Sequence, residues 1–164
     1  MDCVSIHKEV TMIKTEISII FHRPVQEVFD YISDYKNGPQ WQIGLQGVGR
    51  ITEDPLGVGT RFTSVRKFMG RKMESGTEFT AFELNKKLAI KSYSGSSPFK
   101  QTFLFEEIPG GTLINTVFEL ELGGIMNLAE PLIAPAVRRE MKTDFDNLRE
   151  IIESRVIEAF QLLE

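Results

Sequence analysis

Few side chains in this 164-residue sequence have the type and spacing that acid–base or metal chemistry requires. The two histidines, His7 and His22, stand at no orienting distance from a cysteine or an acid, and Cys3 is the single cysteine. A structural zinc site takes four ligands of these kinds, so the sequence predicts no metal site. It also contains no nucleophile elbow, phosphate-binding glycine loop or dinucleotide fingerprint. No catalytic residue is therefore identified, and we expect no cofactor.

Arg66 is the charged residue with the most informative position. Alternation predicts that it shares the inner face of a strand with Phe62, Ser64 and Phe68. An inward guanidinium needs a carboxylate partner or an anionic ligand, such as a molecule with an acidic head group. The alternative is that the strand end is exposed and the side chain reaches solvent.

Trp41, the only tryptophan, ends the stretch "RPVQEVFDYISDYKNGPQW". Apolar residues at helical spacing predict a short helix from Pro24 to near Asp34. A Gly38–Pro39 break follows, and then a second short helical piece. A large ring with one N–H suits either a core plug or the wall of a ligand cavity, and both roles stay open.

The elements that would position these residues are mostly strands. Period-two alternation predicts a first strand over Met12–His22. After Trp41 we predict strands near Gln46–Glu53, Thr60–Met69, Arg71–Glu83, Leu88–Ser94, Lys100–Ile108 and Thr112–Leu122. The short turns between them force antiparallel neighbours, which makes a meander.

The last forty residues predict one long helix. "NLAE" at Asn127–Glu130 fits a capping box, and Pro135 should bend the helix or split off its first segment. One face carries Val137, Met141, Phe145, Leu148, Ile152 and Val156. We expect this stripe to pack on the sheet, with a gap between them for an apolar ligand.

The charge and hydrophobicity of the sequence limit the partners and the location that we expect. The net charge of −4 argues against nucleic-acid binding. The basic run "RKFMGRK" at residues 66–72 indicates an exposed hairpin, with a phosphate or membrane contact as the alternative. Without an 18-residue apolar run or an export signal we expect no integral membrane association, and the lone cysteine suits a cytoplasmic location. We expect one domain over residues 1–164, with residues 1–11 as a loose tail.

Four stretches together resemble the SRPBCC (START-like) superfamily, in its polyketide cyclase/dehydrase branch. They are the segment ending at Trp41, "DPLGVGTRF" (54–62), "FTAFELNKKLAI" (79–90) and "GGTLINTVFELEL" (110–122) before the long helix. The resemblance covers Ile13 to Val156. It implies an α+β helix-grip fold, a curved seven-stranded antiparallel sheet wrapped around a long C-terminal helix. Two short helices would lie between the first and second strands, and a family tryptophan at the closed end of an apolar cavity matches Trp41.

Strand faces and the helix stripe then nominate the residues that line the cavity. They are Trp41, Phe62, Ser64, Arg66, Phe79, Ile90, Phe103, Phe105, Phe118, Val137 and Met141.

The function that we expect is non-catalytic binding or carriage of a small hydrophobic molecule that is lipid-like, isoprenoid or aromatic polyketide-like. The alternative is an enzyme resembling polyketide cyclases or dehydratases, which needs a titratable residue with a perturbed pKa inside the cavity. A third interpretation is a protein-interaction module with a plugged cavity. The sequence is also compatible with a homodimer.

Overall fold

The computed structural model of the chain describes residues 10–53 and 55–161, with side chains as far as Ser154. The expected loose tail, apart from its last two residues, and the side chain of Val156 lie outside this part. Thr11 belongs to the first strand, so this strand begins one residue earlier than we predicted.

Within the described residues, seven strands form a single curved antiparallel sheet. They are β1 Thr11–Phe21, β2 Leu45–Arg50, β3 Arg61–Phe68, β4 Arg71–Glu83, β5 Lys87–Ser94, β6 Phe99–Ile108 and β7 Gly111–Leu122. Three α-helices accompany them, α1 Val25–Ser33, α2 Gly38–Trp41 and α3 Glu130–Gln161, with 3₁₀ segments at Tyr35–Asn37 and Gly124–Ala129. This confirms the predicted helix-grip architecture.

The sheet order is β1-β7-β6-β5-β4-β3-β2. Strands β2 to β7 form the predicted meander, and β2 ends at Arg50 rather than at Glu53. β1 lies beside β7 in a register that pairs Thr11 with Leu122 and Phe21 with Thr112. The first and last strands therefore come together, and β1 and β2 become the two edges.

The predicted short helices are both present, although Gly38–Pro39 does not act as a break. Pro24 caps α1, and its carbonyl accepts hydrogen bonds from the N–H groups of Glu27 and Val28 at 3.1 and 3.3 Å. Gly38 and Pro39 open α2, where the missing N–H of a proline costs nothing. A Cβ at position 38 would lie 2.7 Å from the Leu45 side chain, so a glycine lets α2 pack against β2.

Helix α3 is continuous from Glu130 with Pro135 inside it, so this proline does not split off a first segment, which was one of the two outcomes that we predicted. Buried Ile133 and Ala134 attach the first turns to the core, which offsets the lost hydrogen bond. Asn127 lies within the 3₁₀ segment and not directly before α3, so it does not take the N-cap position that the predicted capping box requires. Its side chain accepts from the Thr11 N–H at 3.3 Å. No described helix is long and apolar enough to cross a bilayer.

The core lies between α3, α1 and the concave face of the sheet. On β7 the alternate residues Ile114, Thr116, Leu120 and Leu122 are buried on this face. Helix α1 covers one end of this face through Phe29, whose ring centroid lies 5.0 Å from that of Phe105 and 5.4 Å from that of Phe82.

We expect Phe29→Ala to lower the free energy of unfolding by about 3–5 kcal/mol, because it removes a buried ring and leaves a cavity under α1. Urea denaturation measures the loss. Asp30→Ala, an exposed neighbour on the same helix, should stay within about 0.5 kcal/mol of the parent protein. Equal effects of the two substitutions would contradict the packing of α1 on the sheet.

Candidate functional site

A cavity of about 140 Å³ lies between the concave face of the sheet and the N-terminal half of α3. Its wall takes residues from all three α-helices, from the 3₁₀ segment after α1, from strands β2 to β7 and from the β5–β6 turn. The cavity occupies the gap between sheet and helix that the sequence predicted.

Most of the predicted lining residues do line this cavity. These eight are Trp41, Ser64, Arg66, Ile90, Phe103, Phe118, Val137 and Met141.

Phe62, Phe79 and Phe105 do not line the cavity, so their assignment needs correction. Phe62 stacks on Tyr35 with centroids 4.5 Å apart, and Phe79 lies 5.2 Å from Phe62. Phe105 packs under Phe29. All three point inward as predicted, but at the end of the sheet that α1 and its 3₁₀ extension close. Alternation identifies the inner face of a strand and not which part of that face stays uncovered.

The body of the cavity is apolar. The rings of Phe99 and Phe118 lie 5.9 Å apart on β6 and β7, and Ile90, Leu120 and Met141 complete this part of the wall. Such a surface binds hydrocarbon or aromatic groups by removing them from water.

Trp41 fills the core and lines the cavity at once. It is almost fully buried, its ring centroid lies 5.5 Å from that of Phe145 on α3, and its carbonyl accepts from Asn147 at 3.4 Å. Its place in the wall follows from α2, a single turn that ends at this residue.

The polar end of the cavity is organised around Arg66. Its NH1 donates to Glu140 Oε1 at 2.6 Å, and its NH2 donates to Gln42 Oε1. The side chain is half-buried and faces the cavity, and its carboxylate partner comes from α3. The guanidinium is therefore already neutralised within the protein.

Gly44 permits this close packing. A Cβ at this position would lie 2.6 Å from Glu140 Oε1 and 2.9 Å from the backbone oxygen of Lys67. The Gly44 carbonyl accepts from the Lys67 N–H at 2.8 Å, which ties the turn before β2 to the end of β3. Any larger residue would push this turn away from the ion pair.

Asp144 is a second acid of the cavity wall, and it is only 5% exposed. Its Oδ1 accepts from the backbone N–H of Ile43 at 2.9 Å. Burial raises the pKa of the Asp144 carboxyl from 3.8 to about 6, although the hydrogen bond from Ile43 and the charge of Arg66 act in the opposite direction. The negative charge of Glu140 adds to the rise.

Tyr35 adds a hydroxyl to the wall. Burial raises the pKa of this phenol, and hydrogen bonds with Thr77 and Ser64 and the charge of Arg66 partly offset the rise. The hydroxyl therefore stays protonated at neutral pH and can donate a hydrogen bond.

Tyr35, Gln42, Glu140 and Asp144 line the cavity but were not predicted from the sequence. A signal for the two acids was present, because positions 140 and 144 follow Val137 by three and seven residues and so share its face. An acid on the inner face of a buried stripe usually has a buried partner. Gln42 had no comparable signal, because it lies in the turn that follows α2.

The described part of the chain holds no group of three His, Cys, Asp or Glu residues that could bind a metal ion. His22 lies outside the cavity, at the end of β1, where its Nδ1 is 2.9 Å from Glu153 Oε1 on α3. Its backbone N–H also donates to this carboxylate at 2.9 Å, so the contact joins β1 to the helix.

Solved structures of several proteins share this fold at low sequence identity. A Thermus thermophilus protein, TTHA0849, has a TM-score of 0.76 and 16% identity, with 87% of this chain and 98% of that chain covered. Zhui aromatase/cyclase from a Streptomyces species has a TM-score of 0.75 and 10% identity, covering 89% and 96%. A START superfamily protein from Mycobacterium smegmatis has a TM-score of 0.66 and 14% identity, covering 89% and 98%. Such identities establish the fold and not the activity.

No curated protein sequence matches this chain significantly. The family model for polyketide cyclase/dehydrase and lipid transport matches residues 12–153, which is most of the chain. The resemblance inferred from the sequence is confirmed. With its curved sheet, its long C-terminal helix and its apolar cavity, the chain belongs to the polyketide cyclase/dehydrase and lipid transport family.

Proposed function

We propose that the protein binds a small hydrophobic molecule that carries one uncharged hydrogen-bonding group, such as a hydroxyl or a carbonyl. Family membership and the apolar cavity support hydrophobic-ligand binding itself. The preference for an uncharged group rests on the Arg66–Glu140 pair, which leaves the polar end of the cavity without a free positive charge.

Size favours a compact ligand. An apolar cavity of about 150 Å³ in another protein is large enough for benzene. The present cavity is of similar size, and exposed residues of the β5–β6 turn form part of its wall. One or two rings would fit inside, and a longer tail would extend beyond it.

Charge balance disfavours the acidic head group that we considered from Arg66 alone. A ligand carboxylate near Arg66 would also lie near Glu140 and Asp144. Two like charges 4 Å apart repel by about 4 kcal/mol at an effective dielectric constant near 20. A neutral hydroxyl or carbonyl can exchange hydrogen bonds with Gln42, Tyr35 and Arg66 without this cost.

A second function, a cyclase- or dehydratase-like activity, is favoured by Asp144. A general acid or base works best with a pKa near the ambient pH, and the pKa of this carboxyl is about 6 at the cavity wall. In this alternative Asp144 moves a proton during ring closure or dehydration of a bound aromatic or polyketide substrate.

Three further elements of the proposal come from the sequence. The lone cysteine suits a reducing compartment, so we place the protein in the cytoplasm. We treat the chain as one domain. The acidic net charge makes nucleic acid an unsuitable partner.

The ligand proposal is tested with 2-naphthol and 2-naphthoate, which share a ring system and differ in charge at neutral pH. We expect saturable binding of naphthol, followed by calorimetry and by the emission of Trp41, and at least about tenfold weaker binding of naphthoate. Equal affinities would contradict the neutral site. If none of four compounds (naphthol, naphthoate, a fatty acid and an isoprenoid alcohol) binds saturably, hydrophobic-ligand binding itself is contradicted.

Glu140→Gln should remove this preference. The substitution keeps the size of the side chain and removes the charge that neutralises Arg66, so naphthoate should bind at least about tenfold more tightly than it binds the parent protein. Calorimetry with both ligands measures the change, and naphthol should be little affected. Glu150→Gln, an exposed acid on the same helix, is the control. Unchanged naphthoate affinity in Glu140→Gln would show that Glu140 does not set the charge of the site.

Asp144→Asn tests the pKa on which the second function depends. In the unfolded chain the carboxyl ionises near its usual 3.8, and in the folded chain near 6. The folded state therefore holds the proton more tightly, and the wild type loses stability as the pH rises from about 4 to about 6. The asparagine side chain of the variant does not titrate, so the stability of the variant relative to the wild type should increase by up to about 3 kcal/mol across this range. Urea denaturation at several pH values measures the difference, and a constant difference would remove Asp144 as an acid–base candidate.

A further inference from the structure

Three large aliphatic side chains project into solvent where β7 leads into α3. Ile125 and Leu128 are each 86% exposed and Leu132 is 71% exposed, more than any other large hydrophobic side chain in the described part of the chain. Their spacing of three and then four residues places them on one face of the 3₁₀ segment and the first turn of α3. Exposed apolar residues are common one at a time, whereas a contiguous set marks an interaction surface.

The tip of the β3–β4 hairpin lies beside this face. Arg71 NH1 is 3.9 Å from the sulfur of Met126 in the 3₁₀ segment. Met69 and Gly70 form the turn with φ angles of 49° and 79°, and Met69 is 58% exposed. A two-residue turn with positive φ at both positions favours Asn or Gly at the first position, so an exposed methionine there is locally unfavourable. Neither the fold nor the core accounts for it.

The hairpin also carries positive charge. Lys67, Arg71 and Lys72 are exposed, and Lys72 is the one of the three with an ion-pair partner among the described residues, Glu74 at 3.8 Å. The whole chain has a net charge of −4, so this positive cluster is opposite in sign to the chain as a whole. Cations around an apolar patch are typical of proteins that sit on anionic lipid surfaces.

The hairpin and α3 also border the cavity. Phe68 and Met73 flank the hairpin turn and line the cavity, as do Val137 and Met141 one and two turns beyond Leu132. The exposed patch therefore lies next to β3, β4 and α3, which form part of the cavity wall.

We propose that Met69, Ile125, Leu128 and Leu132, surrounded by Lys67, Arg71 and Lys72, dock the protein onto bilayers that contain anionic lipids. The apolar side chains enter the headgroup region and the cations contact lipid phosphates. The role in ligand exchange rests on the proposed function, because docking would bring the cavity to a surface in which hydrophobic molecules dissolve. A second copy of the chain is a poorer occupant, since a symmetric interface would face each cationic cluster with its own copy.

Vesicle flotation tests the docking surface. The wild type should bind vesicles of phosphatidylcholine with phosphatidylglycerol at least about tenfold better than vesicles of phosphatidylcholine alone, and high salt should weaken this binding. The triple variant Ile125→Ser/Leu128→Ser/Leu132→Ser should bind at least about tenfold less. Val58→Ser/Leu84→Ser removes two similarly exposed side chains in the turns before β3 and after β4, at the opposite end of these strands from the hairpin tip, and it should bind as the wild type does. Lys67→Glu/Lys72→Glu should lose the preference for anionic vesicles.

Three results would overturn the proposal. The wild type could fail to bind anionic vesicles, or the triple variant could bind them as well as the wild type. Sedimentation velocity could also reveal a wild-type dimer that the triple variant breaks while vesicle binding is unchanged. Naphthol affinity is measured on the same proteins, so a failure of ligand binding is seen separately from a failure of docking.

Discussion

The contact between the apolar stripe of α3 and the concave face of the sheet is the constraint on which the rest of this structure depends. A curved sheet touches a straight helix closely only where large side chains bridge the two. Phe145 does so by packing against Trp41 and Phe103, and buried Leu148 continues the contact. Nearer the start of the helix the stripe holds Val137 and Met141, and there the cavity remains open. The cavity therefore lies where α3 carries Val137 and Met141 instead of a large aromatic side chain. Well-packed cores leave few voids elsewhere.

The same helix sets the electrostatic character of the cavity. An arginine facing an apolar space would have to recruit an anion, and here α3 supplies one in Glu140 and a second, more weakly acidic carboxyl in Asp144. Desolvation raises the cost of every additional negative charge at this end of the site. An arginine in a pocket is therefore not evidence for an anionic ligand until its own carboxylate partners have been counted.

The β3–β4 hairpin contributes both to the cavity wall and to the exposed surface. One side of it contributes Phe68 and Met73 to the cavity, and its tip carries Met69 and the basic residues to the exterior. The antiparallel register that pairs Phe68 with Arg71 forces the tight turn between them and holds these two surfaces together. A family described by both cyclisation and lipid transport can change its task at such a boundary while the core stays the same.

The residue pattern predicted most of the elements and the faces that they bury. Alternation identified the inner residues of β3, Pro24 marked the start of α1, and the spacing from Val137 to Ile152 established the stripe of α3. These are local properties, set by the period of a strand or helix and by the chemistry of single residues. Long-range placement was decided only by the tertiary structure. It paired β1 with β7, put Phe62, Phe79 and Phe105 beneath α1 instead of in the cavity, and brought Glu140 within 2.6 Å of Arg66 across 74 residues. Contacts of this kind depend on how elements pack in three dimensions, and no period within a single element encodes them.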